Sequence, residues 1–158
     1  MSLHASVRCR CIQDGRAKPH PFPERLVLDE TADPLLTGKP TLDDHLMHDR
    51  WFDGSCEHGG YLVSERLGNM AMIAHARKLV VSIEQNHGLQ FPILKEKVIY
   101  NGVHAGDHLS VGQTLELMKE VEAALQSGDV VENMDKGFFA AMKRLCEASI
   151  ETRNPIVF

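Results

Sequence analysis

The sequence predicts an α+β fold: one small domain over residues 1–158, with a short, mostly antiparallel sheet packed by three or four helices. Two features carry this reading, an alternating segment near the start and a terminal "NPIVF" that both read as strands, and helical periodicities between them.

In "ASVRCRCI", Ala5, Val7, Cys9 and Cys11 fall on one face and Arg8 and Arg10 on the other, the period of a half-buried strand. Asp14-Gly15 signals a turn, and the prolines at 19, 21 and 23 make an extended lead-in to a short strand in "RLVLDE". Residues 31–39 read as loop. Thr41 is placed to cap a short helix through "LDDHLMHDRWF", stopped by Gly54. Asn69 caps a clearer helix over Met70–His87, where Met72, Ala76, Leu79, Val80 and Ile83 recur at helical spacing and Gly88 ends it. "VIYN" at 98–101 reads as a short strand. Ser110 and Gln113 form a capping box for a helix that buries Thr114, Leu117, Met118, Val121 and Leu125 and shows Glu116, Lys119 and Glu120 to water. After Gly128, Asp135 is the expected cap of a last helix with Phe138, Met142, Leu145, Cys146 and Ser149 on its inner face.

With 158 residues the chain is expected to bury roughly 70% of its unfolded surface without staples. A hydrophobic content of 43% with 25% charged residues is that of an ordinary globule, which argues against a disordered chain. "LVVSI" at 79–83 is too short to span a bilayer, and "MSLHASVRCRC" has no signal-peptide core, so a cytoplasmic protein with reduced Cys9, Cys11, Cys56 and Cys146 is expected. Formal charge is −5 with no long basic run, which speaks against nucleic acid or an anionic membrane as partner.

The densest chemistry lies in "DDHLMHDRWFDGSCEHGG", with three histidines, one cysteine and five acidic residues in residues 43–60. His45 and His48, three apart, would share a helix face, while Cys56 and His58 would face one way on an extended segment. Four nitrogen and sulfur donors of this kind suit zinc, so His45, His48, Cys56 and His58 are the first candidate metal ligands. The competing reading is a solvated pair of histidines beside Asp43, Asp44 and Asp49, with Cys56 a small buried hydrophobe. No "HExxH" is present. His104, Asp107 and His108, just before a helix N-terminus, are second candidates for a metal, an anion or proton transfer; otherwise Gly102 and Gly106 turn the chain and Asp107 or Ser110 simply caps the helix. Cys56 with a histidine also has the elements of a thiolate nucleophile and base, without any matching signature. Cys9 and Cys11 resemble a metal or redox pair, but their alternating apolar setting makes them core residues first, and Cys146 is expected to be packing. No phosphate loop or dinucleotide fingerprint occurs, so no nucleotide cofactor is expected.

The segments "WFDGSCEHGGYLVSERLGN", "NGVHAGDHLSVGQTLELMKEVEAAL" and "FFAAMKRLCEASIETRNPIVF" resemble an uncharacterised family of small bacterial proteins in which a Cys-x-His, here Cys56 and His58, precedes a helix and a His/Gly turn precedes an acidic helix. More loosely, the helix–helix–strand ending is similar to immunity proteins of bacterial toxin systems. The first resemblance implies a bacterial cytoplasmic protein and brings no activity with it. Two functions follow as expectations. The first is a non-catalytic domain, immunity-like in its acidic helix, that docks a protein partner or a second copy of itself. The alternative is a zinc-binding protein or metal-dependent hydrolase using the cluster at residues 45–58.

Overall fold

A computed structural model describes residues 2–100, 102–104 and 106–158. The alternating start forms β1 (Ser2–Arg8), with Ala5 and Val7 buried, and the strand ends one residue before Cys9. The chain then leaves the sheet. A 3₁₀ turn (Pro23–Arg25) leads into β2 (Leu26–Leu28), which pairs antiparallel with β3 (Pro34–Leu36), a strand inside the segment expected to be loop. Helix α1 (Leu42–Gly54) follows under a Thr41–Asp44 capping box, as the sequence implies. It buries no residue. Arg25 bridges Asp44 at 3.1 Å, Trp51 Nε1 donates to the Lys18 carbonyl at 2.9 Å, and Phe52 meets Tyr61 edge-on with ring centroids 6.1 Å apart.

The chain returns along β1 as β4 (Tyr61–Asn69), in antiparallel register from Ser2↔Asn69 to Arg8↔Tyr61. Cys56-x-His58 therefore leads into a strand, and the helix comes only after it. Asn69 accepts from the Met72 N–H and starts α2 (Met70–His87), closed by Gly88 at a φ of +67°, which matches the expected boundaries.

The expected strand at 98–101 is instead the end of a π-helical turn over Leu94–Val98, with Asn101 outside the described residues. Ile99 N–H donates back to the Leu94 carbonyl at 2.8 Å, and the Ile99 carbonyl accepts from Arg77 Nε at 2.6 Å. These bonds satisfy the backbone locally, so the apolar run buries Val98 and Ile99 without a ladder. After β5 (His108–Leu109), the Ser110–Gln113 box opens α3 (Val111–Gln126). Two of its expected positions are reversed: Glu120 is buried, and Leu125 is exposed. Helix α4 (Asn133–Thr152) begins at Glu132, so Asp135 is not its cap; it lies inside the helix, buried, 3.1 Å from His75 of α2. The expected inner face of α4 is buried, and β6 (Ile156–Val157) closes the chain.

The main sheet runs β4-β1-β6-β5, every neighbour antiparallel, beside the separate β2–β3 ribbon. Helices α2 and α4 pack on the sheet, and α4 also packs on α3. Val7, Val80, Ile83, Phe139, Met142 and Ile156, all fully buried, fill the core between them. The architecture is α+β. Among the described residues no helix is long and apolar enough to cross a membrane.

Candidate metal centre

β1 and β4 end side by side where residues 9–60 leave and rejoin the sheet. Cys9 and Cys11 lie just past the end of β1, Cys56 and His58 just before the start of β4, and the Cys9 N–H donates to the Gly60 carbonyl at 3.2 Å. Both turns are tight. Cys11 accepts through its carbonyl from the Arg16 and Ala17 N–H groups at 2.7 and 2.9 Å, and Gly59 N–H donates to the Cys56 carbonyl at 3.2 Å. Gly60 has a φ of +83°, and a Cβ there would stand 2.1 Å from Phe52 Cζ, so any other residue would be strained and would have to displace the Phe52 ring.

These turns converge four donor atoms. Cys9 Sγ lies 3.7 Å from Cys56 Sγ, and Cys11 Sγ lies 3.3 Å from His58 Nδ1. All four donors lie within 4.8 Å of one another. A tetrahedral zinc with Zn–S bonds of about 2.3 Å has S···S edges of about 3.8 Å. The set thus has the spacing of a coordination shell around one small cation. Cys9 and Cys11 are buried, while Cys56 and His58 are partly so.

Backbone donors favour thiolate here. Burial pushes the Cys56 thiol up, but N–H groups of Gly60 and His58 donate to its sulfur, and with the neighbouring Cys9 and Cys11 they bring it down to about 6. Burial holds Cys9 at about 12, against an opposing N–H bond from Cys11, and burial also raises Cys11, opposed in part by Arg16. One sulfur is therefore ready to bind a cation, and two keep their protons until a cation displaces them. Glu57 Oε1 stands 3.9 Å from His58 Nε2, on the side of the ring away from Cys11.

His45 and His48 are not part of this centre. They sit on α1, where His48 Nδ1 meets His20 Nε2 at 3.0 Å, and both line a separate cavity. The helix carries them away from Cys56 because Gly54 and Ser55 end it before the cysteine turn. Cys9 and Cys11 take their places. The core reading of these two is right about burial, but they also point their sulfurs at the Cys56 turn. The signal that finds them is a repeated spacing, Cys9-x-Cys11 and Cys56-x-His58.

The second candidates form no shared site among the described residues. His104 Nδ1 is 3.8 Å from Asp107 Oδ2, which is beyond hydrogen-bond reach, and Asp107 Oδ2 accepts the Tyr100 hydroxyl at 2.5 Å. His108 is on β5, paired with Val157. Burial lowers the His104 pKa and keeps the ring neutral. His75, Glu132 and Asp135 also come within 4.8 Å, with a hydrogen-bond contact between His75 of α2 and Asp135 of α4. Cys146 is packing, its thiol pushed up to about 12 by burial.

No protein-family model, curated protein or solved structure compared with the chain gives a significant match. The centre is therefore read from its chemistry. It could hold a metal ion.

Proposed function

We propose that the chain is a zinc-binding, non-catalytic domain in which Cys9, Cys11, Cys56 and His58 hold one structural ion. The observation that carries this reading is the convergence of four nitrogen and sulfur donors within 4.8 Å. Three thiolates and one imidazole are a soft, tetrahedral set, which suits zinc over calcium or magnesium. Such a complex carries a net charge of −1, and Arg16 beside Cys11 opposes it. A hydrolase would need a coordination position open to water, and four protein donors on one ion leave none. The structural reading is favoured over the catalytic one on that ground.

The test is elemental analysis of tag-free protein purified under reducing conditions. The wild type, His45→Ala and His48→Ala should each carry about one zinc per chain, and Cys11→Ser and His58→Ala should lose it. Wild-type protein that takes up no zinc when supplied with it, or a Cys11→Ser variant that retains it fully, would overturn the proposal.

A further inference from the structure

The buried stripe of α4 passes through Phe138, Met142, Leu145 and Ser149, and at the same helical spacing it opens on a carboxylate, Asp135. Asp135 is 4% exposed. A carboxylate buried to that degree is ordinarily held by a lysine or arginine, by several hydrogen bonds, or by a metal ion. Among the described residues no lysine or arginine pairs with Asp135, and no backbone N–H donates to it, although it lies in the first turn of α4. Its one hydrogen bond is to His75 Nε2, 3.4 Å from Oδ2 and longer than an ordinary N–H···O bond, while Oδ1 stands 3.1 Å from the same nitrogen. One ring nitrogen thus faces both oxygens and satisfies neither well.

A second carboxylate faces the same point. Glu132, three residues before Asp135 at the start of α4, brings an oxygen within 4.8 Å of both partners. A cation bonded to nitrogen and oxygen at about 2.1 Å sets neighbouring donors about 3.0–3.4 Å apart. The His75–Asp135 contacts already have that spacing, and the exposed Glu132 side chain is free to close the remainder. With its proton on Nδ1, His75 offers Nε2 as a lone pair, which beside two carboxylates is favourable only with a cation between them. A neutral imidazole and two carboxylates carry a charge of −2, which a divalent ion cancels. Nitrogen among the donors suits a first-row transition metal over calcium, whose shell is oxygen.

We propose that His75, Glu132 and Asp135 bind one divalent transition-metal ion, which clips the start of α4 to α2 and keeps water on its remaining positions. Three protein donors, one exposed and one half-exposed, let such an ion exchange with the medium, so the zinc retained on purification belongs to the thiol centre and this site fills when a cation is supplied. The two sites share no residue, and either assignment can fail alone. The test is titration of the full chain, first supplied with zinc, with cobalt(II), followed by amide-resolved NMR and absorption. Cobalt should bind saturably and broaden the amides around residues 73–77 and 132–137 first, without sulfur-to-cobalt charge-transfer absorption. Loss of one ligand should weaken binding at least tenfold in His75→Gln, Glu132→Gln and Asp135→Asn. Asp129→Asn should keep wild-type affinity, since the His87–Asp129 pair has no third donor in reach among the described residues. Glu132 is exposed, so Glu132→Gln should fold even if Asp135→Asn does not. Absence of saturable binding, wild-type affinity in both Glu132→Gln and His75→Gln, or broadening centred on Cys9 and Cys56 alone would each overturn the proposal.

Discussion

Gly59 and Gly60 separate two effects that a glycine can have. Both have positive φ, +57° and +83°, but a Cβ on Gly59 meets nothing within 4 Å, whereas one on Gly60 would enter the Phe52 ring. Gly59→Ala should therefore cost about 1 kcal/mol of backbone strain, and Gly60→Ala strain plus overpacking, about 2–4 kcal/mol. Urea unfolding of the two variants measures the difference. The Gly60 N–H also reaches the Cys56 sulfur, so a backbone shift forced by the Phe52 clash should weaken metal uptake in Gly60→Ala and not in Gly59→Ala. A second residue acts through pH. Glu120 is buried and accepts the N–H groups of Ile93 and Leu94 at 2.9 and 2.8 Å; burial raises its pKa above 4.5, the backbone bonds opposing. The folded state then holds a proton that the unfolded state has released, so the contribution of this carboxyl to stability is fully present below pH 4.5 and is lost as pH rises through the raised pKa. Glu120→Gln should lack this fall. Unfolding free energies of the two proteins, compared between pH 4 and 8, should diverge as pH rises; parallel curves would show that the carboxyl titrates normally.

At the level of elements, those whose start is set by a local side-chain bond were legible in sequence: Thr41, Asn69 and Ser110 each accept the N–H three residues on. Helix α1 depends on its cap more than the others, since it buries no residue. Thr41→Ala should cost it about 1 kcal/mol, read as faster amide exchange in the first turn of α1 with protection of α2 and α4 unchanged. The elements that escaped sequence reading are those whose pattern is set by distant neighbours. Strand β4 is at the edge of the sheet, so Glu65 and Arg66 interrupt its alternation, a usual protection of an open edge. "VIYN" has the composition of a strand, but the Arg77 side chain, 22 residues away, takes the carbonyl that a ladder would use. Glu120 looked solvated because its helical position is on the polar side, and its partners are backbone groups of a turn 26 and 27 residues earlier.

Across the whole molecule, half of the candidate centre was legible and half was hidden by topology. Cys56 and His58 were visible as a close pair, whereas Cys9 and Cys11, each 47 positions before the donor it meets, reach them only because β1 and β4 pair. The same pairing limits what a metal can contribute. The β1–β4 register already holds the two ends of the intervening segment together from Ser2↔Asn69 to Arg8↔Tyr61, so an ion at Cys9, Cys11, Cys56 and His58 closes almost no additional loop. Its stabilisation should come from the bonds it makes and act on the turns at the root of that segment. The core among α2, α3, α4 and the sheet rests on fully buried Val80, Ile83, Leu117, Phe139, Met142 and Leu145, none of which needs the ion. Chelation under reducing conditions should therefore loosen residues 9–60 locally and leave the rest folded. Limited proteolysis of zinc-loaded and chelated protein reads this directly. Cleavage within residues 12–40 should quicken at least tenfold on chelation, while the fragment carrying α2 to β6 stays resistant. Uniform digestion of the whole chain would mean instead that the metal supports the core, and unchanged cleavage that the turns at Cys11 and Cys56 hold without it.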